Sequence, residues 1–224
     1  MNLTGKKIAF LGDSITEGAG VADRQNNRYD NVLARLCNMT VVVSDGIGGT
    51  RLAHQHIPSE EPNRDLCFCG RGCRLPQDAD VVVVYGGVND YFHGDAPIGK
   101  KGDRTPATFY GAVWFLMNHL KQRFEGKTVV FMTPARCFYK GIPDTQPSNR
   151  PMKQPDALPV LGYVDIIKET GKELGVPVLD LYHELGIDPN REEDRVKYTV
   201  DGLHFNDDGH HILARKLKEF LESL

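Results

Sequence analysis

With 224 residues, of which 40% are hydrophobic and 25% charged, the chain has ordinary globular composition and enough apolar content to bury a core rather than stay disordered. Its formal net charge of −3, with basic residues scattered along the chain, provides no cationic field to gather nucleic acid or an anionic membrane, so neither partner is expected. No apolar run approaches the roughly 18 residues of a membrane span, and the apolar run near the N-terminus lacks a small-residue cleavage site; a cytoplasmic protein with one domain over residues 1–224 is expected.

The run KKIAFLG at residues 6 to 12 predicts a first strand and MTVVVSD at 39 to 45 a second, and between them RYDNVLARLC carries apolar residues at helical spacing. Four consecutive valines within DADVVVVYGG, residues 78 to 87, mark a strand buried on both faces of a parallel sheet. Residues 106 to 124, PATFYGAVWFLMNHLKQRF, begin with a proline that a first helical turn tolerates and continue at helical spacing. KTVVFMTP at 127 to 134 reads as a fourth strand. A proline-rich stretch to Pro159, a helix through Leu174, the strand VPVLDLY and a last helix from about Asp208 to Leu221 follow. Strands alternating with helices predict a three-layer α/β/α sandwich around a five-stranded parallel sheet, flavodoxin-like, in strand order 2-1-3-4-5. In such a sheet, ligands bind outside the carboxyl ends of the strands.

Three glycine-rich turns fall at that edge. Gly12, Asp13 and Ser14 follow the first strand, Asp45 to Thr50 (DGIGGT) the second, and Gly86, Gly87, Val88, Asn89 and Asp90 the third. Glycine lets the chain turn sharply and bring a backbone N–H close to a ligand, so Ser14 and Asn89 are expected as neighbours. Asp201, Gly202, Leu203 and His204 lie in the loop ahead of the last helix. A serine hydroxyl is a weak nucleophile until a base removes its proton, and histidine, with an ordinary pKa of about 6.5, suits that task.

In order and spacing, GDSIT, the Gly49 turn, GGVND and DGLHFNDDGH resemble the four motif blocks of the SGNH (GDSL) hydrolase family, across nearly the whole chain. The resemblance implies a nucleophile at Ser14, a base at His204, and oxyanion donors from the Ser14 and Gly49 N–H groups and the Asn89 amide. Asp201 would then fix the imidazole tautomer and stabilise its charged form. No metal and no organic cofactor is expected. The implied reaction is cleavage of a small-molecule carboxylic ester through an acyl-serine intermediate, with small-acyl or carbohydrate esters as expected substrates. Thioesters or lysophospholipids are the alternatives within the family, and a non-catalytic flavodoxin-like binding module is the alternative outside it. Two positions depart from the pattern: Phe205 stands where many relatives carry proline, and Gly48 competes with Gly49 as the block residue.

Arg51, Tyr91, His93 and Phe138 follow predicted strand ends and are candidates for substrate contact; Arg136 and Tyr139 share that position. The segment from about Arg136 to Pro159 is long enough for a rim or lid. Asp13 and Asp90 flank the nucleophile and Asn89, where hydrogen bonding behind the site is expected of both. His210 and His211 are expected on the last helix, away from Asp201. Cys67, Cys69 and Cys73 offer three thiolates but no local fourth ligand for structural zinc. The five cysteines exclude a fully paired disulfide set, and free thiols are expected.

Overall fold

The computed structural model describes residues 1–224. Its strands are β1 (Lys7–Gly12), β2 (Thr40–Gly46), β3 (Val81–Tyr85), β4 (Thr128–Met132), a small hairpin β5 (Phe138–Tyr139) and β6 (Ile142–Pro143), and β7 (Val178–Leu179). Five of them form one parallel sheet in the order β2-β1-β3-β4-β7. This is the expected 2-1-3-4-5 arrangement, with β7 as its fifth strand. β3 lies at the centre and all five of its residues are buried, which is why it reads as an unbroken valine run rather than as an alternation.

The helices are α1 (Ser14–Glu17), α2 (Arg24–Asn27), α3 (Tyr29–Cys37), α4 (Phe68–Gly72), α5 (Val88–Phe92), α6 (Phe109–Arg123), α7 (Val160–Leu174), α8 (Leu181–Glu184), α9 (Glu192–Tyr198) and α10 (Asp207–Ser223). Successive strand residues point to opposite faces, so the sheet feeds two cores. Ala9, Leu11, Val82 and Val84 pack with Leu116 of α6 and Val164 of α7. Ile8, Phe10, Val81 and Val83 pack with Leu33 of α3 and Leu213 and Leu217 of α10. Each such buried Val, Leu, Ile or Phe side chain contributes roughly 1.5–3 kcal/mol, and together they hold β1 and β3 between the two helical layers.

The structure departs from the sequence expectation where Thr108, not Pro106, opens α6, its side chain capping the helix by accepting from the Gly111 N–H, and in two further stretches. VPVLDLY does not continue as a strand, because the Asp180 carboxylate accepts from the His183 N–H and caps α8, turning the chain away after Leu179. The proline-rich stretch holds the β5–β6 hairpin, whose turn places Lys140 (φ 52°) and Gly141 (φ 77°) in the left-handed region. No helix is long and apolar enough to cross a membrane.

Candidate active site

β1 ends at Gly12, where a Cβ would lie 1.9 Å from Thr16 Oγ1. Only glycine lets the following turn fold back so tightly. Asp13 then caps α1 by accepting from the Ile15 N–H (3.0 Å), which presents Ser14 as the first residue of that short helix. The Ser14 Oγ lies 2.9 Å from His204 Nε2, across 190 residues of sequence. His204 Nδ1 in turn lies 2.7 Å from Asp201 Oδ2. The other carboxylate oxygen accepts from the backbone N–H groups of Leu203 (3.0 Å) and His204 (2.8 Å).

An ionised carboxylate only accepts, so the His204 proton sits on Nδ1 and the Nε2 lone pair faces the serine hydroxyl. Partial burial works against the charge on Asp201, but the bonds from the His204 ring and from the two N–H groups outweigh it and hold the carboxyl below its ordinary range. The loop itself is shaped by Gly202 (φ 86°), where a Cβ would meet the Phe138 carbonyl at 1.9 Å. It is pinned by Phe138 N–H donating to Gly202 O (2.9 Å) and by an antiparallel bridge between Thr199 and Phe205. Phe205, 1% exposed, fills the core beneath.

The second wall of the site comes from the turn after β2. Gly48 N–H donates to Glu17 Oε2 (3.0 Å), whereas the N–H of Gly49 (φ 76°) meets no acceptor in the protein. Of the two competing glycines, Gly49 therefore carries the donor still available to a ligand. A Cβ on Gly48 would lie 3.6 Å from Ser14 Cβ, so this turn lies directly against the serine. Asn89, on α5 and only 6% exposed, donates one amide N–H to Thr50 O (3.0 Å). His93 Nε2 lies 3.1 Å from its Oδ1. The second N–H of that amide has no acceptor in the protein.

Two residues that position this turn escaped the sequence reading. Glu17, three residues after Ser14, occupies the Gly48 N–H; an acid in the first turn of a four-residue helix was its only signal. Arg71, 5% exposed, donates to Gly12 O (2.9 Å), Asp45 O (2.8 Å) and Thr50 Oγ1 (2.8 Å), tying the ends of β1 and β2 to the Gly49 turn. Nothing in the sequence around an arginine between two glycines announces that clamp.

The candidates for substrate contact separate into two groups. Phe138, half-buried, lies on the wall of a cleft of about 500 Å³ with Lys140, Arg195, Thr199, Val200 and Asp201. Tyr139 beside it sets its ring edge-on to His204, 6.1 Å between centroids. Arg51 (2% exposed) and Tyr91 (0%), also candidates for substrate contact, instead lie below the surface. The Arg51 guanidinium bonds to Ser59, Asp65 and the Arg64 carbonyl, and the Tyr91 hydroxyl donates to Gln146 O (2.8 Å). His93 is half-buried between Arg51 and Asn89, so it reaches the site only through that asparagine.

Burial pushes the carboxyls of Asp13 and Asp90 up to about 6. Asp90 accepts from the Leu52 and Ala53 N–H groups (both 2.9 Å) and so holds the chain after Thr50 against α5. His210, fully buried, accepts from the Tyr29 N–H at Nδ1 (3.2 Å), and His211 pairs with Asn27. All five cysteines are free thiols. Cys69 points inward at the Leu52 and Ala112 carbonyls, and no group of three or more His, Cys, Asp or Glu side chains is arranged to hold a metal ion.

The sequence matches the GDSL-like Lipase/Acylhydrolase family over residues 10–212. The chain belongs to that family. One solved structure is 31% identical, covers 100% of this chain and 99% of its own, and superposes with a TM-score of 0.83. A protein from Lactobacillus plantarum is 32% identical over 99% of this chain and 98% of its own, with a TM-score of 0.79. A possible lipase from Chitinophaga pinensis shares the fold at 19% identity, covering 97% of this chain and 98% of its own, with a TM-score of 0.70. No curated protein matches the sequence. The family match spans every GDSL-type block, from the end of β1 to the histidine loop and into α10, so the fold and the hydrolase class rest on the chain as a whole rather than on one motif.

Proposed function

We propose that this GDSL-family hydrolase cleaves carboxylic esters through an acyl-serine intermediate, with Ser14 as nucleophile, His204 as base and Asp201 orienting the imidazole. The observation that carries the reading is the hydrogen-bonded series from Ser14 Oγ to His204 Nε2 (2.9 Å) and from His204 Nδ1 to Asp201 (2.7 Å). As Oγ bonds to the ester carbonyl carbon, its proton passes to Nε2 and the carbonyl π electrons move to oxygen. The resulting oxyanion meets the Gly49 N–H, the Ser14 N–H at the start of α1, where a helix leaves its first donors unpaired, and the second N–H of Asn89. Donors already fixed in place stabilise that charge without reorganising. Collapse of the intermediate breaks the bond to the alcohol oxygen, which takes the proton from His204. Water then repeats the sequence on the acyl-serine, releasing the acid and the free enzyme.

Small-acyl or carbohydrate esters are the substrates this reading favours over thioesters or lysophospholipids. A cleft that borders the triad at Asp201 but is not lined by Ser14 or His204 mixes Thr199, Lys140 and Arg195 with Phe138 and Val200, which offers the alcohol portion of a substrate both polar edges and apolar faces. Ser14→Ala, assayed on acyl esters of varied chain length and alcohol, is expected to lose at least about 10⁴-fold in kcat while keeping its fold. It should also lose labelling by an active-serine phosphonate. Near-normal turnover in that variant overturns the mechanism; preference for long-chain or thioester substrates in the wild type overturns the substrate assignment alone.

A further inference from the structure

Asn89 is held at both ends of its amide, and the hold traces back through two side chains that never reach the cleft. Arg51, 2% exposed, sets NH1 2.9 Å from His93 Nδ1. Its other terminal nitrogen is fixed by Ser59 Oγ (3.1 Å), Arg64 O (2.9 Å) and Asp65 Oδ1 (2.9 Å), so the guanidinium has no freedom to turn away. A guanidinium only donates. His93 Nδ1 must therefore accept, the ring proton must sit on Nε2, and that N–H must donate to Asn89 Oδ1 at 3.1 Å. With its oxygen committed, the Asn89 amide cannot flip: its NH₂ faces Thr50 O (3.0 Å) with one hydrogen and the site with the other.

We infer that His93 and Arg51 are positioning residues, a relay that fixes which end of the Asn89 amide faces the oxyanion. The inference rests on the reading of Asn89 as an oxyanion donor, and it explains chemically why a flip matters. A reversed amide would point a carbonyl oxygen at a developing negative charge, converting a donor into a repulsive acceptor. Burial, with Arg51 next to the ring, pushes the His93 imidazole down to about 3. The relay therefore stays neutral and in one tautomer while His204 cycles its proton.

The test combines kinetics with the tautomer itself. His93→Leu, which removes the donor, is expected to lower kcat by about 10- to 100-fold, within the loss attributable to one oxyanion donor, with KM within about twofold. His93→Gln, whose amide offers an acceptor to Arg51 and a donor to Asn89 at similar spacing, should recover most of that loss. In an Asn89→Ala background, His93→Leu should cost nothing further, since it acts only through the asparagine. Ring ¹⁵N shifts of the wild-type protein should report His93 protonated at Nε2 and not at Nδ1 from pH 5 to 8, a measurement that stands even if His93→Leu fails to fold. An Nδ1–H tautomer, an unchanged kcat in His93→Leu, or an equal loss in the Asn89→Ala background overturns the relay. If kcat falls in Asn89→Ala but not in His93→Leu, the relay alone fails; if the wild type turns over no ester, the proposed function fails while the tautomer result still decides the relay.

Discussion

Replacing Asp201 by asparagine changes one oxygen to an NH₂ group, yet the surrounding donors make it a severe perturbation. One carboxylate oxygen accepts from Leu203 N–H (3.0 Å) and His204 N–H (2.8 Å), and the other faces His204 Nδ1 (2.7 Å). Asparagine will keep its carbonyl oxygen on the two backbone donors, because turning the amide would aim its NH₂ at both of them, at a cost of about 1–3 kcal/mol for each donor left unpaired. The NH₂ then faces Nδ1 and donates to it. The ring proton moves to Nε2, where it points at Ser14 and removes the base. A tautomer inversion of this kind costs about 10⁴-fold in a dry site. The Asp201 side chain is 34% exposed, so water relieves part of it, and we expect kcat/KM to fall by about 10³- to 10⁴-fold, or about 4–5.5 kcal/mol of barrier. Steady-state rates on one acyl ester, wild type against variant across pH 6 to 9, measure it. A loss of less than tenfold would show that something other than Asp201 sets the tautomer of His204.

Asn89→Ala should lower kcat by about 10²- to 10³-fold with little change in KM, because the amide gains most from the charged oxygen formed during attack; a raised KM at unchanged kcat would make it an ordinary binding residue. His210, fully buried and pushed down to about 4 by that burial, resists protonation in the folded chain but takes a proton freely once unfolded. Its contribution is fully present above the unfolded value of about 6.5 and is lost as pH falls from there toward 4, so stability should drop by about 1–2 kcal/mol between pH 8 and 5. Because buried His93, pushed down to about 3, adds its own acid-side loss to both proteins, the stability difference between wild type and His210→Phe in denaturant titrations should shift by that amount between pH 8 and 5; parallel curves would refute it.

The sequence makes legible what depends on local pattern. The valines of β3 announce a doubly buried strand because every residue faces a core, and the Gly12, Gly49 and Gly87 turns announce themselves because only glycine tolerates such tight backbone paths. Direction is less legible than position. Arg51 and Tyr91 do follow strand ends, but whether they face the cleft or the interior is set by Asp65 and Gln146, contacts that no spacing rule encodes. Gly48 and Gly49 are indistinguishable in sequence, and the side chain that separates them, Glu17, is 31 residues away. Asp180 reads as part of a strand because its neighbours are apolar, yet its own carboxylate caps the next helix and ends the strand early.

The two imidazoles nearest the site show how one ring is given opposite tasks by what touches a single nitrogen. At His204 the partner of Nδ1 is a carboxylate, which demands a proton there and leaves Nε2 free to accept from Ser14. At His93 the partner of Nδ1 is a guanidinium, which supplies a proton of its own and obliges Nε2 to donate toward Asn89. In the proposed chemistry a base exchanges protons with substrate and product, and the loop before α10 sets His204 against Ser14 for that, whereas the ring of His93 is held between Arg51 and Asn89. Exchanging the two Nδ1 partners would silence the base at one ring and release the amide at the other, so the charge of the residue behind each histidine, more than the histidine itself, assigns its part in the proposed chemistry.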